Sequence, residues 1–143
     1  MSLGRRAVIG GMAVLAATAA LGKGKEMTGK VILKIGGKSF PVELEKNPTA
    51  EAFYSRLPLE LAMEELNGNE KCCYLGKPFP ARSMPVGRIE AGDLMLFGNR
   101  CVVVFYKSSR TSYTYTRIGR IGNAESLESA LGPGDPKVRF EAA

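Results

Sequence analysis

From residue 31 onward the chain alternates apolar and polar positions with period two. Val31, Leu33 and Ile35 alternate with Ile32 and Lys34, Gly36-Gly37 makes a two-residue turn, and Phe40, Val42 and Leu44 alternate with polar partners. This pattern predicts a β-hairpin, because successive strand side chains face opposite sides and a two-residue glycine turn matches the strand twist. Pro41 has no amide hydrogen, which places it at a sheet edge or a bulge. The period then changes: Ala50, Phe53, Tyr54 and Leu57 fall at helical spacing behind Asn47 as N-cap and Pro48 at the first helical position. Pro58 ends this helix at Leu57. Alternation resumes at Leu59, Leu61 and Met63, and Asn67-Gly68 turns the chain into Glu70 to Leu75, a second predicted hairpin.

Between Gly76 and Gly87, Pro78, Pro80 and Pro85 interrupt any period, and Phe79, Arg82 and Met84 stand among them. A long ordered loop of this kind in a compact domain often carries function. Glu90 to Asp93 turns into Leu94 to Phe97, and Gly98-Asn99 turns into Cys101 to Tyr106. That apolar, β-branched run predicts a strand buried on both faces. The following strand puts Thr111, Tyr113, Tyr115 and Arg117 on one face and Ser112, Thr114, Thr116 and Ile118 on the other. Being half polar on both faces, it is either a wetted edge or the wall of a binding groove. Asn123 is expected to cap a short helix through Leu131, Gly132-Pro133-Gly134 stops it, and Val138 and Phe140 belong to a last strand. The reading is mainly β, with two short helices and about eight strands, enough to close a barrel filled by its own side chains.

Several stretches, taken in order, resemble a family of small bacterial proteins with a cyclophilin-like barrel. They are Asn47-Pro48-Thr49-Ala50 before the helix, Leu57-Pro58-Leu59 after it, Asn67-Gly68 with Glu70-Lys71, and Gly92-Asp93-Leu94-Met95-Leu96. Phe105-Tyr106-Lys107 then leads into Thr111-Ser112-Tyr113, Tyr115-Thr116-Arg117 and Ile118-Gly119-Arg120. The resemblance spans about residues 29 to 141. It implies a closed or nearly closed cyclophilin-like β-barrel, with the helix plugging one end and Phe53 in the core. Cyclophilins bind extended Xaa-Pro peptides in a groove on the barrel wall beside an arginine. Their signature also needs His and Trp, and this chain contains neither, so the shared fold does not carry isomerase activity with it.

Composition narrows the chemistry. The 143 residues suit one domain, and the net charge of +6 comes from 20 basic and 14 acidic residues that are scattered along the chain. The densest basic group is Arg110, Arg117 and Arg120, so no nucleic-acid partner is expected. Without His, the commonest general base and metal ligand is missing, and the three cysteines form no CxxC. No metal site is expected. Cys72 and Cys73 are strand neighbours facing opposite sides, so only one of them can bridge to Cys101; otherwise all three are buried free thiols. Glu43 with Glu45 and Glu60 with Glu64 read as solvated faces, and Asp93 as a turn organiser. Gly119 and Gly122 lack the strand-to-helix setting of a dinucleotide site, so no cofactor is expected.

The N-terminus reads as an export signal. Arg5 and Arg6 precede an apolar run from Ala7 to Leu21, and Ala17-Thr18-Ala19 has the small-x-small form of a cleavage site. The run is shorter than the ~20 residues of a membrane span. Residues 1–19 are thus expected to be removed, leaving a linker at 20–28 and a domain at 29–143 with no membrane span; Arg5-Arg6 before Ala7-Val8-Ile9 also resembles a twin-arginine signal. The protein is expected to be periplasmic or secreted. Phe79, Arg82, Met84, Tyr106, Tyr113, Tyr115, Arg117 and Arg120 are the candidate ligand-binding residues: rings with hydroxyl handles, an adaptable thioether, and guanidiniums that grip carboxylates or peptide carbonyls. The first reading is therefore a non-catalytic binding module for an extended peptide or a small anionic molecule. The alternatives are a peptidyl-prolyl isomerase and an envelope assembly partner that accepts a strand at Pro41 or at the polar strand. Nothing in the pattern specifies an oligomeric state.

Overall fold

The computed structural model describes residues 30–143; the expected export signal at 1–19, the expected linker at 20–28 and residue 29 lie outside the described residues. β1 (Lys30–Ile35) and β2 (Lys38–Leu44) form the predicted hairpin, with Gly36 at φ +58° in its turn. Helix α1 (Pro48–Ser55) follows. It begins as predicted, with Asn47 Oδ1 accepting from Ala50 N at 2.7 Å, an N-cap contributing about 1 kcal/mol. It ends earlier than Leu57, because Arg56 and Leu57 close a last turn through bonds to Phe53 O and Tyr54 O.

The strand predicted around Leu61 is divided. β3 (Leu59–Ala62) pairs with the C-terminal β12 (Lys137–Ala142), while β4 (Glu64–Leu66) pairs with β5 (Glu70–Tyr74). The second hairpin therefore consists of β4 and β5 alone. After β5 come β6 (Met84–Pro85), β7 (Arg88–Ile89), β8 (Asp93–Phe97), β9 (Cys101–Phe105), β10 (Ser109–Arg110) and β11 (Thr114–Ile121). A 3₁₀ turn (Ala124–Ser126) and helix α2 (Leu127–Leu131) precede β12. Asn123 adopts φ +56° and makes no side-chain cap bond, so it turns the chain and does not cap the helix.

The sheet order is β3-β12-β1-β2-β11-β8-β9-β5-β4, antiparallel throughout. Its two ends, β3 and β4, are consecutive in the chain and meet at the buried Met63, whose amide donates to Pro136 O at 2.9 Å. One extended stretch thus supplies both seams of a nearly closed barrel. Eight of the strands are four residues or longer, in agreement with the sequence reading; the remainder are clips of two or three residues.

Pro41 is not at an edge, since β2 lies between β1 and β11. The β2–β11 ladder runs over Val42 to Leu44, and just beyond it Gly122 N donates to Pro41 O at 2.7 Å. The missing amide therefore falls where the ladder has already ended. β11 is likewise interior, between β2 and β8. Strand addition at either place, the basis of the assembly reading, has no free edge to use.

β11 begins at Thr114, so Thr111 to Tyr113 precede the strand, and its register shifts between Arg117 and Gly119. A bulge replaces the strict alternation expected from the sequence. Gly119 is required at this point: a Cβ there would stand 2.6 Å from Glu43 O.

The barrel interior holds Leu33, Phe40, Leu96, Val104, Ile118 and Phe140, with Phe53 of α1 plugging one end. Phe53 meets Phe140 edge-on at 5.2 Å. β9 is buried on both faces, as predicted. Val102 and Val104 face the interior, while Cys101, Val103 and Phe105 join Cys72, Met95 and Tyr115 in a second cluster on the outer wall. Ile89 and Val86 from the long loop region pack against that cluster. All three cysteines are free: Cys72 and Cys101 share the outer face and are buried, whereas Cys73 faces the main core and is half-buried. Burial, with the neighbouring Cys72, pushes the Cys101 thiol up to about 12, so it is inert as a nucleophile near neutrality.

Candidate functional site

Three segments of the chain converge on a cleft of about 570 Å³. The N-terminal end of α1 contributes Asn47 to Thr49, the loop contributes Pro80 to Val86, and β11 contributes Tyr115 to Arg117. They are tied together by specific bonds. Asn47 Nδ2 donates to Arg117 O at 2.8 Å, Thr49 Oγ1 to Pro80 O at 2.5 Å, and Arg82 N to Thr116 Oγ1 at 2.9 Å. Met84 and Pro85 pair with Tyr115 and Thr114 as a short strand. The loop is therefore pinned along the barrel wall, and the cleft has a fixed shape.

Four of the eight sequence candidates line this cleft: Arg82, Met84, Tyr115 and Arg117. Both guanidiniums are exposed, and neither has an ion-pair partner among the described residues. One carboxylate, Glu45, also lines the cleft, so cationic groups outnumber anionic ones there. The open end of the α1 dipole adds partial positive charge on the same side. Tyr115 is buried, and burial followed by the Glu70 charge raises its hydroxyl above the usual range; it stays a neutral phenol. Met84 and Val86 supply apolar surface. Sequence reasoning missed Glu45, Asn47, Thr49 and Thr116. The one available signal was Asn47-Pro48, which marks a helix N-terminus without showing what it faces.

The other four candidates lie elsewhere. Phe79 is a core residue, with its ring 6.4 Å from Phe53 and the Arg56 guanidinium 3.7 Å above it. Arg56 also donates to Lys77 O at 2.9 Å and Pro78 O at 2.5 Å, fixing the start of the loop. Arg120 is committed to Asp93 at 2.7 Å. Asp93 also accepts from Glu90 N at 2.9 Å, the turn-organising role expected of it. Tyr113 is exposed on the outer wall, edge-on to Phe97 at 5.9 Å. It borders a separate pocket of about 310 Å³.

Tyr106 belongs to a polar cluster in another part of the barrel. Its hydroxyl donates to Glu65 Oε1 at 2.8 Å, and the same oxygen pairs with Lys71 Nζ at 2.9 Å. Lys71 is fully buried; its ammonium also donates to Gly134 O at 2.5 Å and sits 5.5 Å from the Tyr106 ring. Burial alone would raise the Glu65 carboxyl, but the Lys71 and Tyr106 bonds more than reverse this and hold it below the usual carboxylate range. The Tyr106 hydroxyl and the Lys71 ammonium are both bonded within the protein, so the part of this cluster is structural.

The cleft offers anion recognition and apolar contact. Among the described residues, no three His, Cys, Asp or Glu side chains are grouped to hold a metal ion, and no helix is long and apolar enough to cross a membrane.

The architecture defines a mainly β, nearly closed barrel domain carrying an external cleft. Residues 33–141 match the Cyclophilin-like family, and the chain belongs to that family. Among solved structures it is similar to a hypothetical protein from Archaeoglobus fulgidus determined in solution. The two share 22% identity and a TM-score of 0.54, over 85% of this chain and 98% of that one. At that identity the likeness establishes the fold alone. No curated protein matches the chain.

Proposed function

We propose that this chain is an exported, non-catalytic binding module that takes a small anionic molecule, or the carboxylate of an extended peptide, between Arg82 and Arg117. One observation carries the reading: two guanidiniums from different segments open onto one cleft, and among the described residues no carboxylate is paired with either. A guanidinium matches a carboxylate in bidentate geometry, and such charge-assisted bonds are the strong ones. Met84 and Val86 would receive an apolar stem, and the pinned loop lowers the ordering cost of binding.

Calorimetric or NMR titration with short peptides bearing a free C-terminal carboxylate, and with dicarboxylates, tests it. Binding is expected to shift the amides of residues 82, 84 and 115–117. Replacing both Arg82 and Arg117 with Ala is expected to weaken it about tenfold or more, since a hydrogen bond to a charged group contributes about 1.5–3 kcal/mol. C-terminally amidated peptides should bind less well. Equal binding by the double variant would remove the assignment. Enhanced cis/trans exchange of Xaa-Pro peptides at low protein concentration would make the cleft an isomerase site instead.

Export has its own measurement. When the full chain is expressed in a bacterium, mass spectrometry of the envelope fraction is expected to show a product beginning at Ala20. A cytoplasmic product that retains residues 1–19 would end that part of the proposal.

A further inference from the structure

The pocket of about 310 Å³ on the outer wall has the opposite character from the cleft. Its polar floor is Glu70, only 7% exposed, which lies opposite Phe105 in the β5–β9 ladder. Beside it Asn69 presents Oδ1 as a buried acceptor without a hydrogen-bond partner; its Nδ2 is held by Ser109 Oγ at 3.1 Å. Ile89, Phe105 and the ring of Tyr115 form apolar walls, with Tyr113 and Arg110 at the exposed rim. Burial raises the Glu70 carboxyl, against one hydrogen bond from Asn67 and with a further push from Glu65.

A carboxylate can accept about four hydrogen bonds. Here it has the Asn67 amide and, among the described residues, no ion-pair partner. A buried polar group left short of partners calls for an explanation, and a poorly compensated buried carboxylate is costly. An amine supplies what the floor lacks: a positive charge for Glu70, spare N–H donors for Asn69 Oδ1, and a methylene stem for the apolar walls. Aromatic faces add cation–π attraction. A metal ion fits poorly, because Glu70 would be its lone carboxylate and the Arg110 cation stands at the rim.

We propose that this pocket is a binding site for an alkylammonium group of about the size of a lysine side chain, held by Glu70 and Asn69 against the Phe105 and Tyr115 rings. It is distinct from the anion cleft and does not depend on it, although Tyr115 lines both.

The test is an NMR titration of the full chain with n-butylammonium chloride, n-butanol and sodium butyrate at constant ionic strength. Saturable shifts at residues 69, 70, 105 and 115 are expected with butylammonium only. In Glu70→Gln the affinity is expected to fall about tenfold or more, as for loss of a charge-assisted bond, while Tm without ligand rises because the buried charge is gone. Binding of butanol and butylammonium alike, or undiminished binding by Glu70→Gln, would overturn the proposal. So would binding seen only after Arg110→Ala, because the pocket would then be holding the protein's own guanidinium.

Discussion

Glu65→Gln is expected to destabilise the domain by about 3 kcal/mol, although more than a quarter of the Glu65 side chain is open to solvent. The cost lies with its partner: Lys71 is fully buried, and with an amide at position 65 its ammonium is left with neutral partners only, that amide's oxygen, the Gly134 carbonyl and the Tyr106 ring. Breaking a buried pair from one side typically costs about 3–5 kcal/mol, because the remaining charge has lost its compensation. For a domain of this size that lowers Tm by on the order of 10 °C. Lys71→Met should be far milder, within about 1 kcal/mol of the natural chain, because it removes the charge that cannot reach water and leaves one that can. Thermal or urea unfolding of both variants checks the asymmetry; equal losses would contradict it.

Acidity adds a sign. The folded pKa of Glu65 lies below its ordinary value, so its stabilising effect is complete above the ordinary carboxylate range and is lost as pH falls through the depressed value. Glu70 acts in the other direction. Its folded pKa is raised, so it weakens the fold at neutral pH and this weakening is relieved as pH falls through the raised value. Glu70→Gln should therefore flatten the mildly acidic part of the stability profile, and Glu65→Gln the more acidic part.

Phe53→Ala is expected to cost about 3–5 kcal/mol, the range for emptying a buried aromatic site. Phe53 is 0% exposed and touches the rings of Phe79 and Phe140, so one truncation strips contacts from the plugging helix, the loop and the last strand together. Neither neighbour can collapse into the gap easily: Phe140 is held in the β1–β12–β3 ladders, and Phe79 N donates to Asn99 O at 2.8 Å. Urea titration would report the loss. A change below about 1 kcal/mol would mean that the site refills, against the usual behaviour of a close-packed core.

The elements were legible where one local rule decided them. Gly36-Gly37 turned the first hairpin, Asn47-Pro48 started α1, and the Cys101 to Tyr106 run could only be a strand covered on both sides. The division at Met63 was not legible, since alternation continues through Leu59, Leu61 and Met63 whichever neighbour each half pairs with. The β11 bulge was hidden for the same reason: a register shift is set by the adjacent strands, and Gly119 alone hinted at it. Half of the candidate groove therefore dispersed. Tyr106 and Arg120 carry suitable chemistry, but each is bonded to a carboxylate, Glu65 or Asp93, that lies far from it in sequence. The burial of Glu70 was not legible, because nothing local shows that Ile89 and Tyr115 will close over the outer wall.

The junction at Met63 also sets an order in time. The 59–66 stretch can zip its second half to β5 across a tight turn early in synthesis. Its first half must wait for residues 137–142, which also fill the space between β1 and β3. Pairings so distant along the chain are slow to form. Until the last strand has emerged from the ribosome, the nascent chain carries two unpaired strand edges and an uncovered apolar interior, the form in which such proteins aggregate. A chain cut before Lys137 would not be a smaller barrel; it would remain an open sheet.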